Sequence, residues 1–166
     1  MNVLVAYGSK MGSTREIAEE VGDELRRDGL TVTVRPGGLV PDLEGFDAVV
    51  LGGALYAGRW HPQARRFARR FAPELRERPV WLFSSGPLDR SAEERDIKPV
   101  PFVAKLMAAT CAQGHATFGG RLGPDAPGFI AGAMAKKMAG DYRDFDAIRA
   151  LAGTIAPALR RAEAAA

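Results

Sequence analysis

Between Gly8 and Thr14 the chain reads Gly-Ser-Lys-Met-Gly-Ser-Thr, a run of small and hydroxyl residues that closes directly onto a helical pattern. Backbone N–H groups at a helix N-terminus are unpaired, and the helix dipole adds partial positive charge, so such a run can bind a phosphate without an arginine clamp. Ser9, Ser13 and Thr14 offer hydroxyl donors, Gly12 lets the backbone approach closely, and Lys10 and Met11 complete the loop. The same residues also support a ligand-free alternative, a capping box joining Ser13 to Glu16. The run lacks the Gly-Lys-Thr ending of a Walker A loop, and it is not the Gly-x-Gly-x-x-Gly of dinucleotide folds.

A second segment, Gly53 to Pro62, sets small residues around aromatic ones. Ala54, Leu55, Tyr56, Ala57 and Gly58 suit a loop packed against a planar heterocycle, with Tyr56 the favoured ring contact and Trp60 open between that role and simply covering the sheet end. His61, immediately before Pro62, reads as a helix cap or surface residue, and His115 as structural. The third segment, Ser84, Ser85, Gly86, Pro87 and Leu88, has no aromatic residue and no acid before Asp89; it resembles the third loop of flavodoxins, which implies that it closes the other side of the ring. No residue stands out as a proton donor or acceptor, and no metal-ligand pattern is present.

These segments need a scaffold that brings them to one edge. Val3 to Tyr7 and Asp47 to Leu51 are apolar runs of the kind that form strands buried on both faces. Leu30 to Arg35 alternates and reads as a strand near a sheet edge, and Pro79 to Ser85 and His115 to Gly119 supply two more. Helices are expected from Ser13 to about Asp28, from Pro62 to about Leu75, from Val100 to about Ala112 and from near Asp144, the last kinked or ended by Pro157. The turn-rich residues 36–47 leave a loop, or a short helix at best, between the second and third strands. In an open parallel sheet ligands bind beyond the C-terminal ends of the strands, at the switch in strand order. All three chemistry-bearing segments directly follow strands.

The first loop resembles the Ser/Thr-x-Thr-Gly-x-Thr phosphate loop of flavodoxins, with Met11 where that pattern has its middle threonine. The second resembles their isoalloxazine loop and, more closely, the Gly-Ala-Ser-x-Arg-Tyr-Gly-x-x-His pattern of the menaquinone-dependent protoporphyrinogen oxidase family, with Tyr-Ala in place of Arg-Tyr. Lys136-Lys137-Met138-Ala139-Gly140-Asp141 is similar to the Met/Lys-rich insert that precedes the last helix in that family. The resemblance implies a flavodoxin-like α/β fold, doubly wound, with a five-stranded parallel sheet of order 2-1-3-4-5 and helices on both faces. It implies one domain over residues 1–166 with an insert at 121–140, noncovalently bound FMN, and an oxidoreductase whose electron acceptor is a quinone or another small molecule. Two alternatives stay open: a flavodoxin-type electron carrier serving a partner reductase, and a flavin-free interaction domain on the same fold. Scarce carboxylates near the ring would leave the fully reduced flavin less destabilised than in acidic flavodoxins, and its potential less negative.

Bulk properties fit one domain. The chain has 166 residues, 46% of them hydrophobic, enough for a substantial core. A net charge of +3, from 23 Lys and Arg against 20 Asp and Glu, is too mild to indicate a nucleic-acid binder without an aromatic-studded basic motif. Arg65, Arg66, Arg69 and Arg70 form the densest basic group and read as a solvated helix face rather than a docking patch. A single cysteine, Cys111, and an N-terminus that reads as a strand rather than a signal peptide point to the cytoplasm. No apolar run reaches the ~18 to 20 residues of a membrane span. Phe129, Ile130, Met134 and Met138 leave peripheral membrane contact open, although packing on the core is favoured. Oligomeric state is unreadable.

Overall fold

Successive side chains of a strand point to opposite faces, so a strand apolar at every position must be covered on both. β1 (Asn2–Gly8) shows this directly. Val3, Val5 and Tyr7 enter one hydrophobic core, while Leu4 and Ala6 enter a second on the other side. β3 (Ala48–Tyr56) and β5 (Val80–Ser85) divide in the same way, Val50 and Phe83 to the first core, Leu51 and Leu82 to the second. The computed structural model describes residues 1–10, 12–86, 97–122 and 140–164.

α1 (Ser13–Arg27) and α5 (Phe145–Ala164) cover the first face through Ile17, Val21 and Leu25 on one helix and Ile148, Ile155 and Leu159 on the other. α2 (Pro62–Arg70), α3 (Ala72–Arg76) and α4 (Pro101–Thr110) cover the second, with Phe67, Leu75 and Val103 buried against the sheet. Between the helix layers lie five parallel strands: β2 (Thr31–Pro36) at one edge, then β1, β3, β5 and β6 (Gly114–Phe118). Counting the parallel strands alone, the order is the expected 2-1-3-4-5. From β2 to β3 the chain crosses through a single 3₁₀ turn, Gly37–Leu39, and an extended stretch whose Val40 and Leu43 are buried, so the crossover carries no α-helix.

Three elements differ from the sequence expectation. The helix expected from Pro62 to Leu75 is broken at Phe71, because Pro73 lacks an N–H and its ring clashes with the carbonyl one turn back; the chain restarts as α3 with that proline in its first turn. α5, by contrast, does not end at Pro157 but continues to Ala164. Pro157 and Gly153, whose carbonyl loses its partner, both lie on the exposed side, while Ile155, Ala156 and Leu159 hold the helix against the sheet. The third difference is β3, which continues to Tyr56 and then folds back through a tight turn into β4 (Arg59–Trp60). Gly52 and Gly53, which lie beyond the expected end of the strand at Leu51, are strand residues across which aromatic rings pass. A Cβ on Gly52 would lie 2.0 Å from Cζ of Phe83, and one on Gly53 would lie 2.5 Å from Cδ2 of Trp60.

Candidate functional site at the C-terminal edge of the sheet

Strand register sets the site. Gly8 pairs with Gly53, Ala54 with Ser85 and Ser85 with Phe118, so β1, β3, β5 and β6 deliver their following segments to one level. There Ser9, Ser13, Thr14, Ala54, Leu55, Tyr56, Ser85 and Gly86 line a cavity together with Gly120, Arg121 and Leu122. It is open to solvent on one side, and its volume is about 60 Å³. That admits a few water-sized groups, the scale of a phosphate, so a tricyclic ring would have to extend beyond it.

Gly12, with φ 83°, forms the N-cap of α1 and takes the left-handed conformation that glycine adopts without a steric penalty. Its N–H donates to Oγ of Ser9 at 3.1 Å, which closes the loop on itself. The capping box that Ser13 and Glu16 offered as an alternative does not form. Ser13 is already the first helical residue, its Oγ accepts the N–H of Arg121 at 3.0 Å, and Glu16 is drawn outward to Arg121 and Arg143. The first turn therefore has no side-chain cap. Thr14, 1% exposed, has a buried Oγ1 with no hydrogen-bond partner. A hydroxyl buried without a partner costs free energy, and here it borders a cavity at the positive end of a helix. That donor set suits an anionic oxygen.

The hairpin from β3 to β4 builds the second wall. Ala57 (φ 47°) and Gly58 (φ 71°) are the two central residues of its turn, and positive φ at both matches a type I′ hairpin. Tyr56 stands 41% exposed at the cavity rim, its ring 6.0 Å from that of His61. Trp60 is 1% exposed and turns into the second core, so it covers the sheet end rather than facing the cavity. Its indole N–H donates to Oγ of Ser84 at 2.8 Å, and the same hydroxyl lies 3.1 Å from Nε2 of His115. Ser84 is thereby turned into the sheet, away from the cavity that Ser85 lines. His61 caps α2, its Nδ1 accepting from the N–H of Gln63 at 3.4 Å. Burial, with the nearby charges of Arg66 and Lys10, holds the imidazole below its ordinary pKa.

Lys10, Gly12, Ala57 and Gly58 lie in the two loops but not on the cavity wall. Met11, Pro87 and Leu88 fall outside the described residues, as do Asp89 and the amphipathic stretch Gly128 to Ala139. Sequence reasoning missed Gly120, Arg121 and Leu122. The available signal was the Gly119-Gly120 pair just beyond the last parallel strand, the same strand-then-glycine arrangement that marked the other three segments. Arg121 begins β7 (Arg121–Leu122), which pairs antiparallel with β8 (Gly140–Asp141) and so joins the two ends of the expected insert. Beneath the ladder Arg143, with its side chain only 4% exposed, binds both Asp141 and Glu16. The bond from Arg143 holds Asp141 below the usual carboxylate range, and its two acid partners raise Arg143 further. Among the described residues no carboxylate lines the cavity and no His, Cys, Asp and Glu cluster could hold a metal ion. Nor is any described helix long and apolar enough to cross a membrane.

The sheet order and a phosphate-sized cavity at the strand ends define a flavodoxin-type α/β domain, and a flavodoxin domain model matches residues 4–146. The chain belongs to the flavodoxin-domain family, and that membership implies a flavin cofactor. It is 27% identical over 109 residues to the protoporphyrinogen IX dehydrogenase (quinone) of Escherichia coli K12, a match covering 64% of this chain and 60% of that protein. The relative from Escherichia coli O157:H7 matches with the same figures. Among solved structures, a flavodoxin from the domain Archaea superimposes with a TM-score of 0.66 at 14% identity, covering 96% of this chain and 99% of that one. The rubredoxin:oxygen oxidoreductase of Desulfovibrio gigas gives the same TM-score and identity over 96% of this chain and 36% of its own.

Proposed function

We propose that this chain binds FMN noncovalently and acts as an oxidoreductase that passes electrons to a quinone or another small-molecule acceptor. The observation that carries the reading is the unpartnered, buried hydroxyl of Thr14 in a cavity at the N-terminus of α1. Ser9, Ser13 and Thr14 would hold the phosphate together with the free N–H groups of the first helical turn. Ala54, Leu55 and Tyr56 would support the ring from the hairpin, and Ser85 and Gly86 would border it on the side of β5. FMN supplies reversible uptake of one or two electrons, and the protein's part is positioning and electrostatics. Quinone as the acceptor rests on the name of the Escherichia coli relatives, of whose length the match covers 60%.

The test is to add FMN to the apoprotein, follow binding by the visible spectrum and calorimetry, and assay the reduced protein against menaquinone and oxygen. Tight FMN binding and fast reoxidation by the quinone are expected. Binding without any quinone reaction would favour an electron carrier, and absence of binding would leave a flavin-free interaction domain. The carrier reading has one observation of its own. Arg59 of β4 and Arg65, Arg66, Arg69 and Arg70 of α2 stand close together in the chain and make no ion pair with a described carboxylate.

A cavity free of described carboxylates also bears on the potential. One unit charge at short range is worth a few kcal/mol at an effective dielectric of about 20, and ~59 mV corresponds to 1.4 kcal/mol for one electron. The fully reduced flavin is therefore expected at a potential on the order of 100 mV less negative than in an acidic flavodoxin. Potentiometric titration checks this, and a very low second potential would sink it.

A further inference from the structure

We infer that Arg121, at the foot of the insert, is a direct ligand of the phosphate at the α1 N-terminus and makes the site prefer a phosphorylated flavin over a neutral one. The inference rests on the FMN reading above. Its basis is the placement of Arg121. The backbone N–H of this residue donates to Oγ of Ser13 at 3.0 Å, which pins its Cα beside the first residue of α1. Its register partner across the β7–β8 ladder is Asp141, so the loop after β6 cannot carry it away without breaking that ladder. Arg121 lines the same cavity as Ser9, Ser13 and the unpartnered Thr14, and it is the one charged residue on that wall among those described.

The guanidinium has donors to spare. Nη2 of Arg121 reaches Oε1 of Glu16 at 2.8 Å, and the planar fork carries five N–H donors in all. Glu16 does not depend on Arg121 alone, because its other oxygen is bound by Arg143, which Asp141 braces from behind. An anion at the helix terminus can therefore take Arg121 while Glu16 keeps a cation. Glu16 opposes the phosphate by like charge and competes with it for Arg121, so the two residues act on cofactor affinity with opposite sign. Since Arg121 belongs to the ladder that joins the ends of the insert, phosphate occupancy and the position of those ends are coupled.

The experiment titrates FMN and riboflavin into the full-length apoprotein, wild type and the variants Arg121→Gln, Arg121→Lys and Glu16→Gln, at low and high salt. Circular dichroism verifies folding; the Arg121 N–H to Ser13 is a backbone bond and survives substitution. Arg121→Gln should weaken FMN binding about 10-fold or more while leaving riboflavin binding unchanged, and should flatten the salt dependence of FMN binding. Arg121→Lys should recover part of the loss, and Glu16→Gln should tighten FMN severalfold. Equal losses for the two flavins, or an unchanged FMN-to-riboflavin ratio in Arg121→Gln, overturn the assignment while leaving the FMN reading intact. A wild-type chain that binds neither flavin overturns both.

Discussion

Thr14 combines two demands that ordinarily conflict. As a buried residue in the first turn of α1 it should be apolar or paired, yet its hydroxyl is buried and unpartnered. Replacing it with the isosteric valine gives effects of opposite sign. Thr14→Val should stabilise the apoprotein by about 1 kcal/mol, because an unsatisfied buried hydroxyl is removed without changing shape. The same substitution should weaken FMN by about 10- to 100-fold, the worth of a hydrogen bond to a charged oxygen. Thermal unfolding of the apoprotein and a fluorescence titration check the two halves, and a loss of apoprotein stability would show that Thr14 is held by the fold for its own sake. At this scale the sequence was informative. Small hydroxyl residues between a strand and a helix pointed to Ser9, Ser13 and Thr14, because the chemistry there follows from residue type and from the helix terminus. What could not be read was the competition for each hydroxyl. Oγ of Ser13 is taken by an N–H that lies 108 positions further along the chain.

Elements were legible wherever one period dominated and ambiguous wherever glycine carried two meanings. The parallel strands and the helices appear close to where apolar periodicity puts them. β3 and its hairpin do not, since Gly52-Gly53 carries the usual mark of a turn while the requirement for glycine there comes from Phe83 and Trp60, both distant in sequence. Pro73 and Pro157 make the same point from opposite sides. Both are prolines within helical patterns, and whether the helix breaks depends on what the flanking residues bury rather than on the proline alone. Gly53→Ala tests the hairpin. Its new Cβ must displace Trp60, which is buried and hydrogen-bonded to Ser84, so the variant should lose at least about 2 kcal/mol. The denaturant midpoint should fall at unchanged slope, and because the displaced hairpin carries Leu55 and Tyr56, flavin affinity should fall with it. A variant of wild-type stability would mean that Trp60 has room to shift.

Across the whole molecule, the perturbed groups divide into an acid set and an alkaline one, and together they shape stability against pH. His61 has a depressed pKa in the fold, so below its ordinary value of about 6.5 the unfolded chain takes up a proton that the folded chain resists. Stability is thus full above about 6.5 and declines as pH falls through that region. Asp141, also depressed, behaves the same way lower down: its contribution is intact above about 4 and is lost as pH drops toward its folded value. Tyr7 has the opposite direction, raised mainly by burial and secondarily by Glu19 against the lowering effect of Arg15, so its contribution holds below about 10 and is lost as pH rises beyond. The unfolding midpoint should therefore be flat from about pH 7 to about pH 9 and should fall in two steps on the acid side. The first step belongs to a residue that also caps α2, which makes a clean variant available. His61→Asn keeps a side-chain acceptor for the N–H of Gln63, since asparagine is a strong N-cap, but cannot titrate. It should retain the stability of the wild type at neutral pH and lose the step near 6.5 while the lower one remains. Thermal melts across pH decide it: loss of the upper step in His61→Asn assigns that step to His61, and an unchanged upper step would assign it to another group.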